Sequence, residues 1–269
     1  MGRRPGDRPD RPADGLFDRV RRRRADVCHL RFDGDAEQAR TLGVIKIFQR
    51  HNVGIGKSVI MAIEDKIREL AVSYADELKS KMAARVEAMQ DDDKSHFLIY
   101  QVLGVTGEEG ELIDVYQNKG RFLYNYAGSF LEEAASLCFK EAHPHSSRQR
   151  IENTIGKRPK EFEMGCLVDA DAIEIKWRDA TTDGDHITKE HTRIQAIKAH
   201  GFTPIRVMFY YPNRDQAIRI QAALKAIYHG LSGEYYAGDE AWGYVLARTG
   251  VDLKKILIGV GEENRKAHK

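Results

Sequence analysis

The amino-acid sequence predicts an α/β fold, with a mixed central sheet flanked by helices and an additional helical region on the N-terminal side. Three observations predict it. Residues 161–179 read as two short strands folded back on each other. The run Ile205-Arg206-Val207-Met208-Phe209-Tyr210-Tyr211 has the length and apolarity of a strand covered on both faces, and a helical stretch precedes it. Upstream, apolar residues recur at three- and four-residue spacing over two long segments.

Residues 1–26 are rich in Arg, Pro, Asp and Gly and end on Arg21-Arg22-Arg23-Arg24. Such a composition buries too little apolar surface to order itself, so a flexible basic arm able to touch phosphates is expected. Residues 27–120 are expected to form a helical region that serves as scaffold or as a dimer or DNA contact. Within it, Ile60, Ile63, Ile67, Leu70, Tyr74, Leu78, Met82, Val86 and Met89 mark one face of a helix over 56–90. Asp91-Asp92-Asp93 breaks that pattern as a solvated loop, and 97–105 suits either a strand or a buried helical piece.

Residues 121–269 are expected to hold the functional core. Phe122, Tyr126, Phe130, Ala134 and Leu137 give a helix over 121–141, ended by His143-Pro144. The 161–179 hairpin follows, then a helix over 187–200 closed by Gly201. After the 205–211 strand, Asn213 is placed to cap a helix over 214–229. Two short helices are expected near 238–248 and 252–266.

Composition bounds the function. The chain has 269 residues, 42% of them apolar, and a net charge of +2 from 43 basic and 41 acidic residues. A sizeable core fits, and any nucleic-acid footprint must be local rather than global. Cys28, Cys138 and Cys166 are odd in number and lack metal-type spacing, which fits buried thiols in a reduced cytoplasmic protein. No apolar run approaches a membrane span, and the arginine-rich start has no hydrophobic stretch behind it to make a secretory signal. Gly54-Ile55-Gly56-Lys57-Ser58 lacks the full glycine spacing of a phosphate loop, and His143, His145, His186 and His191 have no matching Cys/His set.

The chemistry concentrates in the hairpin. On the second strand Glu174 and Lys176 project from one face, with apolar Ile173, Ile175 and Trp177 on the other. A two-residue turn at Asp169-Ala170 sets Gly165 opposite Glu174 and Glu163 opposite Lys176, and all four are expected to share a face. Two carboxylates within reach of one hard divalent cation, with a lysine beside them, are the parts of a metal-dependent phosphodiesterase site. Asp169 and Asp171 sit at the turn. Beyond the hairpin, Arg178, Asp179, Thr181, Thr182, Asp183, Asp185 and His186 are dense in groups that pair with base edges, and Lys189, His191 and Arg193 suit phosphate contacts. Asn153, Lys157 and Arg158, in the basic segment leading into the first strand, are expected to clamp the DNA backbone.

This combination resembles the PD-(D/E)xK nuclease superfamily, with Glu174 and Lys176 as the acid-x-lysine element. The resemblance implies Glu163 as the upstream metal acid, in place of the usual Asp, and Glu132 as the glutamate of the preceding helix, with Glu133 close behind. The blocks 153–163 and 174–186 look like the ApaLI-like type II restriction endonucleases, over about residues 40–260. That resemblance implies a homodimeric Mg²⁺-dependent enzyme cutting both strands of duplex DNA at a short palindrome of the GTGCAC type. It also implies a cognate DNA methyltransferase in the same system. A structure-specific repair nuclease on the same core and a non-catalytic DNA-binding protein are the alternatives, since Gly165 offers no side chain opposite Glu174.

Overall fold

The computed structural model describes residues 57–178 and 185–267. The expected basic arm and the 179–184 segment lie outside them.

The N-terminal helices are α1 (Lys57–Ala88), α2 (Phe97–Val102) and α3 (Gly107–Ala142). A capping box starts α3: the Glu109 amide donates to Thr106 Oγ1 at 3.2 Å, and the Thr106 amide donates to Glu109 Oε2 at 2.9 Å. This helix therefore begins well before residue 121 and runs without a break through the boundary drawn from the sequence pattern. The 97–105 stretch yields only α2, a short helix with no buried residue.

The remaining elements are β1 (Ser147–Glu152), β2 (Glu161–Val168), β3 (Asp171–Arg178), α4 (Asp185–Ala199), β4 (Thr203–Tyr210), α5 (Asp215–Gly230), β5 (Glu234–Ala237), α6 (Asp239–Thr249) and α7 (Leu253–Ala267). The strands form one mixed sheet in the order β1-β2-β3-β4-β5. Pairings β1–β2 and β2–β3 are antiparallel; β3–β4 and β4–β5 are parallel. The mixed sheet between helices is the expected architecture. Its two edge strands were not foreseen: β1 is polar, with only Ile151 buried, and β5 is four residues long. Asn213 does not cap α5; the N-cap position falls on Arg214, which makes no side-chain cap bond.

One face of the sheet carries Cys166, Val168, Ile173, Ile175, Ile205, Val207 and Phe209 against α1, α3, α6 and α7. The other carries Phe162, Met164, Leu167, Ala172 and Met208 against α4 and α5. Gly201 ends α4 in the left-handed conformation at φ 84°, which glycine adopts without steric cost.

Candidate active site

The β2–β3 turn is the expected two residues, with Asp169 at φ 52°. Val168↔Asp171, Leu167↔Ala172 and Cys166↔Ile173 pair in the register that the spacing predicts. The recorded ladder ends there. On the other side of β2 the register slips: Ser147 pairs with Leu167, yet Gln149 pairs with Met164. Gly165 and Cys166 together stand against Arg148, which is a β-bulge.

The bulge reverses the faces of β2. Met164 and Leu167, three residues apart, lie in one apolar cluster, while Cys166 and Val168 lie in the other. The expectation that Glu163, Gly165, Glu174 and Lys176 share a face is therefore corrected. Alternation puts Glu163 on the face of Ile173 and Ile175, and Glu174 on the face of Ala172. Their two strands are instead tied by a side chain: Arg193 Nη2, from α4, donates to the Glu163 carbonyl oxygen at 2.7 Å and to Glu174 Oε2. Only a glycine in mid-strand signalled the bulge in the sequence.

Glu174 is 8% exposed, and both its oxygens are taken. Lys176 Nζ lies 2.7 Å from Oε1, and Arg193 holds Oε2. The same ammonium reaches Glu132 Oε1, on α3, at 3.3 Å. Glu133 turns away and accepts from Tyr74 of α1 at 2.6 Å, so the helix presents Glu132 to the hairpin. Glu163 meets Arg148 Nε at 3.4 Å and Arg150 Nη2 at 3.6 Å, both from β1. Behind Arg193 a buried chain continues through Glu190, whose Oε1 accepts from Arg206 at 3.1 Å and from Tyr228 at 2.7 Å.

These contacts set the charge states. Burial alone would push the Glu174 carboxyl up, but Arg193 and Lys176 outweigh it and hold it down to about 2. Burial would lower Lys176, and the carboxylates of Glu174 and Glu132 raise it instead. Lys176 is accordingly an ammonium at neutral pH, a donor rather than a base. Burial raises the Glu132 carboxyl, against the pull of Lys176.

The expected DNA contacts divide. Arg178 is exposed at the end of β3, with its guanidinium 5.5 Å from the Tyr124 ring centroid and 5.9 Å from that of Trp177. Lys157, Arg158 and Lys189 are exposed. Asp179, Thr181, Thr182 and Asp183, and the side chains of Asp185 and His186, lie outside the described residues. Two expected contacts have structural employment. Asn153 is buried; its Nδ2 donates to the Pro159 carbonyl at 2.8 Å, and its Oδ1 accepts from the Gly156 amide at 2.9 Å. Arg193, expected at phosphates, is turned inward because Glu174 and Glu190 both draw it.

Among the described residues no three His, Cys, Asp or Glu side chains gather closely enough to hold a metal by themselves. The donor set nonetheless suits a hard divalent ion that keeps several waters: Glu174 Oε1 and Glu132 Oε1 already converge on one cation, the Lys176 ammonium. Also among the described residues, no helix is long and apolar enough to cross a membrane.

Comparison with known proteins gives one finding. The family model of the ApaLI-like restriction endonuclease matches residues 44–261, which is most of the chain. No curated protein and no solved structure matches.

Proposed function

The chain belongs to the ApaLI-like restriction endonuclease family, and from that premise we propose that it is a type II enzyme with Mg²⁺ as its cofactor. It hydrolyses one phosphodiester in each strand of duplex DNA at a short palindrome, of the GTGCAC type that the family suggests, and leaves 5′-phosphates. The observation that carries this reading is Lys176 Nζ, shared between Glu174 Oε1 at 2.7 Å and Glu132 Oε1 at 3.3 Å beside the end of the β2–β3 ladder.

Glu174 and Glu132 would hold the ion; Glu163, turned to the other face and paired with Arg148 and Arg150, is not among its ligands. When bound, the ion polarises the scissile phosphate and makes a water a better nucleophile. Lys176, held protonated, donates to the attacking water and to the phosphate oxygens on which charge builds. Exposed Arg178, Lys189, Lys157 and Arg158 take DNA contacts. Asp179, Thr181, Thr182, Asp183, Asp185 and His186 read base edges from the segment leaving β3.

A palindrome calls for a two-fold dimer with one site per strand. Leu98 and Val102 on α2, Leu103 just after it, and Leu112, Tyr116 and Leu123 on α3 are exposed apolar residues that a second copy would cover. A chain that sediments as a monomer both free and on DNA would remove that part of the reading.

The decisive experiment is digestion of a sequenced plasmid with Mg²⁺, with run-off sequencing of the ends. Discrete bands are expected. Lys176→Ala is expected to lower cutting by at least about 10²–10³-fold, with specific DNA binding largely intact. Unchanged cutting by that variant would sink the reading.

A further inference from the structure

Glu174 is gripped by two cations that are held very differently. Lys176 is 34% exposed on a flexible stem, and among the described residues its only other partner is Glu132 at 3.3 Å. Arg193 is 12% exposed, donates to the Glu163 carbonyl at 2.7 Å and lies 3.9 Å from Glu190 Oε2. Glu190 is itself fixed by Arg206 and Tyr228. A guanidinium keeps its proton under all ordinary conditions, and its planar fork serves two acceptors at once. When a phosphate and a dication arrive, the lysine is free to swing to the water or the phosphate. The arginine stays.

From this we infer that Arg193 is a positioning residue that reserves Glu174 Oε2, so that a divalent ion meets this carboxylate through Oε1 alone. The inference rests on the reading above that Glu174 is a metal ligand. Two consequences have opposite signs. Arg193 fixes the rotation of the carboxylate and ties β2 to β3 where their ladder ends, which aligns the site for chemistry. Its permanent positive charge, one carboxylate away, also keeps a dication loosely held. A merely structural arginine would do neither: its loss would loosen the ion and slow the reaction together.

The test uses the full chain. Binding of Mn²⁺ is followed by electron paramagnetic resonance of the free ion, and plasmid cleavage is followed at saturating Mg²⁺. Arg193→Gln keeps a donor but loses the charge; it is expected to bind Mn²⁺ at least about tenfold more tightly. The same variant is expected to cleave about a hundredfold more slowly. Arg193→Lys keeps the charge but loses the fork; its Mn²⁺ affinity should return to within about threefold of the parent while turnover stays low. A cooperatively melting Arg193→Gln variant that binds Mn²⁺ no more tightly than the parent would overturn the inference. Should that variant not fold, Arg193→Lys decides alone, and turnover at the parent rate overturns it. Glu174→Gln separates the two readings. If it binds Mn²⁺ like the parent, Glu174 is no ligand and the underlying assignment fails. If it loses Mn²⁺ while the Arg193 variants leave binding and turnover unchanged, only the role of Arg193 falls.

Discussion

The two faces of the sheet are built on different principles. Against α1, α3, α6 and α7 the sheet presents a continuous apolar cluster, with Phe139, Ile173, Val207 and Val245 all at most 1% exposed. Against α4 and α5 the apolar contacts divide into two smaller clusters. A buried string of charge runs beside them: Glu174, Arg193, Glu190 and Arg206, ending on Tyr228. Burying ions is expensive, and a well-packed apolar core of the same volume is often the more stable choice. One face thus supplies stability. The other gives some of it up to hold a carboxylate ionised, and aimed, at the edge of the hairpin.

The largest effect that sharpens this contrast comes from Arg206. It is 1% exposed, it faces Glu190, and its Nε has no hydrogen-bond partner among the described residues. Arg206→Met leaves Glu190 with a hydroxyl and a distant guanidinium, and should destabilise the fold by about 3–5 kcal/mol. Adding Glu190→Gln keeps an acceptor for Tyr228 and removes the stranded charge. The double variant should recover most of that loss, to within about 1–2 kcal/mol of the parent. Urea unfolding of the two single variants and the double measures it. Strict additivity would mean that the string is not a unit and that the contrast between the faces is mistaken.

What the sequence made legible follows the same division. Alternation and a two-residue turn suffice to set the β2–β3 register and to put Glu174 and Lys176 on one strand, because those signals are local. The bulge at Gly165 and Cys166 is a property of β1 pairing with β2, and β1 is a polar run that carries no strand periodicity. Without β1 the reversal of Glu163 was invisible. Arg193 follows a polar segment, a position that suits a phosphate contact. Its helical neighbours Glu190, Ile194 and Ile197 form a buried stripe, however, and that spacing of three and four was the signal for an inward side chain.

Acid provides the next largest test. The Glu174 carboxyl is held at about 2 in the fold, against 4.5 for a free glutamate. A depressed carboxylate adds stability that is fully present above about pH 4.5 and is lost as pH falls toward 2. The full shift would correspond to about 3 kcal/mol. Glu132 works in the opposite sense: its raised carboxyl costs stability once ionised, and protonation relieves that cost. Unfolding midpoints taken between pH 6 and pH 3 should therefore fall less steeply in Glu174→Gln than in the parent. Parallel slopes would show that the ionic face does not hold Glu174 charged.

The smallest effect separates two neighbours that one sequence cannot rank. Glu132 and Glu133 are adjacent, so they point about 100° apart around α3, and only the packing of that helix decides which faces the hairpin. The packing gives Glu132 to Lys176 and Glu133 to Tyr74. Glu133→Gln keeps an acceptor for the Tyr74 hydroxyl and should cost no more than about 1 kcal/mol, with cleavage unchanged. Glu132→Gln should raise the Mg²⁺ concentration needed for half-maximal cutting by about tenfold or more. It should also leave Tyr74 and the α1–α3 contact untouched, since that hydroxyl bonds elsewhere. Cleavage against Mg²⁺ for the two variants reads both at once. An exchange of their phenotypes would mean that α3 is rotated in solution by one residue, which would carry Glu132 away from Lys176 and leave the ammonium with Glu174 alone.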